Sequence, residues 1–142
     1  MKVFIFGFLI TVLGFNAHAS TLLEGLSEVL SETPYSAVVT PVKYSKIVKA
    51  ESHEAIVTIQ AQVNTQIRGE LPEVMTFIVV MDIEDSLGKV GEPILIAFCQ
   101  SGNDLYFAGV GAAFDINDNV ISYAKVVIKG LSKTQSRFEF CH

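Results

Sequence analysis

From Glu54 to Arg68 the chain alternates between apolar and polar residues, and this constrains the fold more than any other feature. Ala55, Val57, Ile59, Ala61, Val63 and Ile67 are interleaved with Glu54, Thr58, Gln60, Gln62, Asn64, Gln66 and Arg68. A period of two places successive side chains on opposite faces of an extended backbone, so the pattern predicts one long strand with a buried face and a wet face. Such a strand cannot stand alone. Its apolar face needs a partner layer, and its edges need pairing or cover.

The flanking segments supply partners. In residues 36–44, Val38, Thr40, Val42 and Tyr44 share a face, and Pro41 predicts an edge position or a bulge because it donates no amide hydrogen. Gly69 to Pro72 has turn chemistry, and residues 74–82 resume β-branched and aromatic residues with little polar interruption, as a strand covered on both faces would. A polar loop over residues 82–91 precedes an almost unbroken apolar run at 93–100, the expected central strand. Ser101-Gly-Asn-Asp104 predicts a turn into an antiparallel strand at 105–108, and Asn117-Asp118-Asn119 a further turn separating strands at 112–116 and 120–128. The tail, residues 131–142, is more polar and is expected to end in a turn or strand.

Ahead of these strands, Leu22, Leu23, Leu26, Val29 and Leu30 recur at helical spacing and predict a short amphipathic helix ending near Thr33-Pro34. Its polar face lacks the basic residues of a membrane-surface helix. About seven extended segments in so short a chain are best served by closure, which removes sheet edges. The expectation is therefore an all-β domain with one short N-terminal helix, a small antiparallel OB-like barrel, with a β-sandwich as the alternative.

The first residues read as an export signal. Lys2 is followed by an apolar stretch from Val3 to Phe15 and then Ala17-His18-Ala19, a small-x-small cleavage pattern. The stretch is shorter than the roughly 20 residues needed to span a bilayer. The expected organisation is a signal peptide at 1–19, a helix and linker at 20–34, and a single β-barrel domain at 35–142. This implies a periplasmic or secreted protein with no stable membrane insertion after cleavage. Cys99 and Cys141 are the two cysteines, and in an oxidising compartment an even count is most simply a disulfide, worth roughly 4 kcal/mol for a loop of this length. Two buried thiols or a metal site are the alternatives. Fifteen acidic side chains outweigh ten basic ones, and cleavage removes Lys2 as well, so attraction to nucleic acid is disfavoured.

A strand carrying Ser36-Ala-Val-Val39, the sequence Ile67-Arg-Gly-Glu-Leu-Pro72, an apolar third strand, then Gly91-Glu-Pro-Ile-Leu-Ile-Ala-Phe-Cys99 and Leu105-Tyr-Phe107 resemble the core of netrin-module and tissue-inhibitor-of-metalloproteinase domains. The resemblance covers Tyr35 to Gly109 and implies an OB barrel that binds and does not catalyse. Inhibitory members of that family chelate zinc through an N-terminal cysteine. Here Ser20-Thr21 would stand at the new terminus, so no inhibitory residue carries over.

Other motifs fall short of chemistry. Gly109-Val-Gly111-Ala-Ala-Phe114 follows a hairpin and lacks the third glycine of a dinucleotide fingerprint, so its glycines are read as easing a bend. Asp115, Asn117 and Asn119 begin like a calcium loop, but Val120 and Val126 stand where glycine and glutamate are required. His53 and His142 are the histidines beyond the signal, and Asp82, Glu84 and Asp85 form the densest carboxylate group. No catalytic residue, cofactor or metal is assigned. The leading expectation is a noncatalytic exported binding module that presents Thr58, Gln60, Gln62, Asn64 and Gln66 to an unknown protein or small-molecule ligand. The alternatives are an inhibitor of a secreted protease acting through its loops, and an exported hydrolase using His53 with a loop carboxylate.

Overall fold

The computed structural model describes residues 17–49 and 51–142. The apolar core of the expected signal lies outside them, and its cleavage pattern falls at the start of the first helix. The elements are α1 (Ala17–Ser31), β1 (Tyr35–Val48), β2 (Glu54–Arg68), β3 (Val74–Asp82), β4 (Ile94–Ser101), β5 (Asp104–Phe107), β6 (Ala113–Phe114) and α2 (Asp118–Lys129).

The strands follow the order β1-β2-β3-β5-β4, and β4 pairs back onto β1 to close a five-stranded barrel, with β6 added to β4. The expected OB-like barrel is present. It is mixed, because β3 and β5 run parallel while the other neighbours are antiparallel. The β1–β2 ladder shifts register near Ser36, Val38 and Pro41, and such irregularities sharpen the coil that closure requires. Pro41 sits at one of them, as its missing donor predicts, and its carbonyl accepts the Gly91 N–H at 2.9 Å. Gly69 makes the β2–β3 turn at φ 71°, where a Cβ would lie 2.4 Å from Tyr35 Cδ1, so only glycine fits.

Two apolar layers result. Inside the barrel, Val39, Ile59, Phe77, Ile96 and Phe98 are fully buried, with the Phe77 and Phe98 rings 4.9 Å apart in an edge-to-face contact. Outside it, Val38, Leu95 and Ala97 meet Leu26, Val29 and Leu30 of α1 and Val120 and Ala124 of α2. Burying each large aliphatic side chain stabilises by about 1.5–3 kcal/mol. β4 is thus covered on both faces, as its unbroken apolar run predicts. β3 is not: its burial alternates, and Val74 and Val80 stay 55% and 56% exposed, because the helices cover β4 and the adjoining end of the β1–β2 ladder instead.

The strand expected at 120–128 is a helix. Val120, Ile121, Val126, Val127 and Ile128 favour strands locally, yet Asn117 caps the helix by accepting the Val120 N–H (2.9 Å), Asp118 and Lys129 suit the helix dipole, and Gly130 ends it. Val120 and Ala124, one turn apart, bury the face that packs on α1 and the barrel. The tail forms turns and no strand, and Cys141 is joined to Cys99 with their Cα atoms 5.5 Å apart.

Candidate functional site

α1, α2, the tail and the disulfide lie against one side of the barrel. Apart from Val38 and Ile67, which the helices bury at one end of the β1–β2 ladder, the outer face of β1, β2 and β3 carries none of them. Strand register sets its side chains in rows, since residues directly opposite one another share a face. Thr40, Gln62 and Val74 form one row, followed by Lys43, Gln60 and Thr76, then Ser45, Thr58 and Ile78, and last Ile47, Ile56 and Val80. The surface is polar along its middle and apolar at one end, where Ile47 is 67% exposed.

The structure distributes the five expected binding residues unequally. Thr58, Gln60 and Gln62 stand on this face with no side-chain hydrogen bond among the described residues, Thr58 half-buried and the two glutamines exposed. Asn64 accepts from the Thr40 hydroxyl at 2.7 Å. Gln66 is committed to the β2–β3 turn, donating to the Leu71 carbonyl and accepting the Leu71 N–H, both at 2.9 Å. The apolar neighbours contributed by β1 and β3 are not visible in any single strand; they emerge from register.

At the barrel mouth the β3–β4 loop, residues 83–93, is fastened by β1. The Tyr44 hydroxyl donates to the Leu87 carbonyl at 2.8 Å and the Lys46 ammonium to the Ile83 carbonyl, while Ile83 and Leu87 pack on the barrel core. Burial holds the Tyr44 hydroxyl above its ordinary value. A groove of about 590 Å³ opens between β3, this loop and the turn at Gly109 and Val110. A second depression gathers His53 with Asp82, Glu84 and Asp85. His53 is exposed, and its structural bond is made by its backbone carbonyl, which accepts the Ile83 N–H at 2.8 Å. Among the described residues no group of three His, Cys, Asp or Glu side chains is placed to hold a metal. The disulfide occupies both sulfurs that a zinc site would need. Gly109 and Gly111 adopt positive φ in a turn leading to β6, the bend expected of them.

On the helical side the sequence conceals a polar hub. Arg68, at the end of β2, donates to the Leu30 and Ser31 carbonyls of α1 (2.7 and 3.1 Å) and to Gln135 Oε1 (2.8 Å), and its guanidinium lies 5.1 Å from the centre of the Phe138 ring. Desolvation pulls its pKa below the ordinary value and the nearby Glu32 opposes that. Gln135 Nε2 in turn donates to the Ser31 carbonyl at 2.8 Å, and the Phe140 N–H to the Glu32 carbonyl at 3.2 Å. The residue closes the exposed C-terminus of α1 and anchors the tail, which is structural work.

The fold and this surface define a small closed OB-like barrel, reinforced on one side by helices and open on the other. No known protein family and no curated protein matches the chain. No helix among the described residues is long and apolar enough to cross a membrane.

Proposed function

We propose that the chain is an exported, noncatalytic binding module that engages its partner on the outer face of β1–β3. The observation that carries this reading is the asymmetry of the barrel. The covering elements lie over β4 and the end of the β1–β2 ladder at Val38 and Ile67, while the rows centred on Gln60 and Gln62 stay uncovered beside exposed Ile47, Val74 and Val80. Barrels of this architecture take ligands on the face of their second and third strands. Uncommitted amides and a hydroxyl give directional contacts, and the flanking aliphatics give area. A face without a deep cavity suits a protein better than a small molecule. Export is supported by the signal-like residues 1–19, and a disulfide-bonded small domain is compatible with an oxidising compartment. We keep the netrin-module resemblance at the level of architecture and carry over no inhibitory residue.

The test is retention of partners by the tagged full chain in its producing cell, compared with Gln60→Ala/Gln62→Ala. Both side chains are exposed, so the variant should fold, and a specific partner should be retained at least tenfold less. Equal retention by both chains rejects the face.

A further inference from the structure

The β2–β3 ladder fixes which way each peptide group of β3 points. Ile83 N–H donates to the His53 carbonyl and Val63 N–H to the Glu73 carbonyl, each at 2.8 Å. Hydrogen-bonded pairs recur every second residue in an antiparallel ladder, and this one has no bulge. Odd-numbered residues of β3 therefore direct their peptide groups at β2, and even-numbered residues direct theirs at the opposite edge. β5 meets that edge at Phe77↔Leu105 and Ile78↔Tyr106, then ends at Phe107. Val80 and Asp82 lie past its end. The Asp82 carbonyl accepts the Asp85 N–H at 3.0 Å, whereas among the described residues Val80 N–H, Val80 C=O and Asp82 N–H take part in no strand ladder or loop bond.

The groove of about 590 Å³ follows this edge. All of residues 78–82 line it, although neighbouring side chains on a strand point to opposite faces, so what it follows is the edge of the strand itself. Its far wall is Phe107, Gly109 and Val110, and Val110 is 100% exposed. An edge with free donors and acceptors beside apolar walls accepts an added strand. The rim decides what kind of strand. Among the described residues Glu54, Asp82 and Asp85 line the groove with no lysine or arginine, and of the three carboxylates Glu54 is already paired with Lys49 at 3.2 Å. The occupant is thus a basic one.

We propose that the β3 edge beyond β5 takes up an extended segment of a partner polypeptide, apolar residues alternating with lysine or arginine, hydrogen-bonded to Val80 and Asp82 and seated against Val110. Four residues of contact, at roughly 3.3 Å each, span the open edge. This rests on the reading of the chain as a binding module and adds a second site to it.

The probe is a displayed library of random octapeptides, panned against the full chain. Enriched peptides should alternate apolar and basic residues. Their synthetic copies should lose at least tenfold in affinity when every second amide is N-methylated, and the same on Val80→Pro, which deletes one outward donor and leaves the β2 ladder intact. Asp82→Asn/Asp85→Asn should weaken binding severalfold and flatten its salt dependence. Should Val80→Pro fail to fold, Val110→Arg alters only an exposed wall and should repel the same peptides. No enrichment, or enriched peptides indifferent to N-methylation, overturns the proposal. So does a concentration-dependent dimer of the full chain that Val80→Pro abolishes, since a second copy would then own the edge. If Gln60→Ala/Gln62→Ala releases a cellular partner while no basic peptide binds, the edge proposal falls and the module reading stands.

Discussion

Cys141→Ser isolates the contribution of the disulfide, because it leaves Cys99, fully buried on β4, in place. The bond spans a sequence separation of 42. In the chain-entropy treatment, closing a loop of that size in the unfolded state is worth about 4 kcal/mol. The folded tail has other attachments. Phe140 N–H donates to the Glu32 carbonyl at 3.2 Å, Glu139 N–H to the Glu32 carboxylate at 3.1 Å, and Gln135 to the Ser31 carbonyl at 2.8 Å. The native tail therefore keeps its place in the variant, and the loss arises from a freer unfolded chain. Urea unfolding should show the midpoint falling by an amount equivalent to about 4 kcal/mol, with a larger slope because more surface becomes exposed. The melting temperature should drop on the order of 15 °C. The wild type in excess dithiothreitol should match the variant. A loss below about 1 kcal/mol with an unchanged slope would refute the reasoning. Rapid native-state proteolysis at Lys133 or Arg137 would refute it differently, by showing that the bond holds the folded tail down.

Three further perturbations test the supporting structure. Arg68→Met removes three hydrogen bonds to α1 and Gln135 and the contact with Phe138, and at a half-buried site should destabilise by about 2 kcal/mol in urea; a loss under about 0.5 kcal/mol would show that water replaces the guanidinium. Asn117→Ala deletes the cap of α2 and should cost about 1 kcal/mol, with loss of helical circular dichroism on mild heating preceding global unfolding. Tyr44→Phe should cost about 1 kcal/mol near neutrality by unfastening the 83–93 loop. Because burial raises the folded pKa of Tyr44 above its ordinary 10.0, its contribution is complete below pH 10 and is lost as pH rises through the folded value. Stability measured above pH 10 should therefore fall more steeply for the wild type than for the phenylalanine variant, and parallel curves would contradict the assignment.

The barrel was legible where burial has a simple period. The alternation in β2, the apolar run in β4 and the glycine turn at Gly69 correspond directly to a face, a doubly covered strand and a reversal. Sequence and structure part where a tertiary partner decides the outcome. The β-branched residues of α2 favour a strand in isolation, and the outer layer of α1 supplies the apolar surface that makes a helix the better solution. The exposed side of β3 departs from expectation for the converse reason, since nothing in its sequence says that the helices cover β4 and the adjoining end of the β1–β2 ladder. Cys99 and Cys141 were predictable as a pair from their number and the expected compartment. Arg68 was not, because a lone arginine at a strand end carries no local signal of the helix terminus it will close.

The distribution of restraints bears on why one face can remain open. Arg68, the disulfide, the α1–α2 packing and the Glu32 contacts all act on the side of the barrel that the helices and tail cover. That side needs no participation from Gln60, Gln62 or Val80 to hold together. The outer rows are then free of structural duty, so substitutions there should change partner binding with little change in stability. Exposed aliphatics would ordinarily invite self-association, yet the polar row of Lys43, Gln60 and Thr76 lies between Val74 at one end of the face and Val80 and Ile47 at the other, which keeps the apolar patches small. The β3 edge lacks that protection: its free peptide groups sit beside Val80 and Val110, and its guards are the carboxylates of Asp82 and Asp85. Carboxylates repel another copy of this acidic chain and attract a basic strand. The same two charges thus oppose aggregation and select a partner, and neutralising them as Asp82→Asn/Asp85→Asn should raise self-association at low salt as it weakens basic peptides. Light scattering that stays monomeric for this variant, alongside unchanged peptide affinity, would detach both roles from these residues.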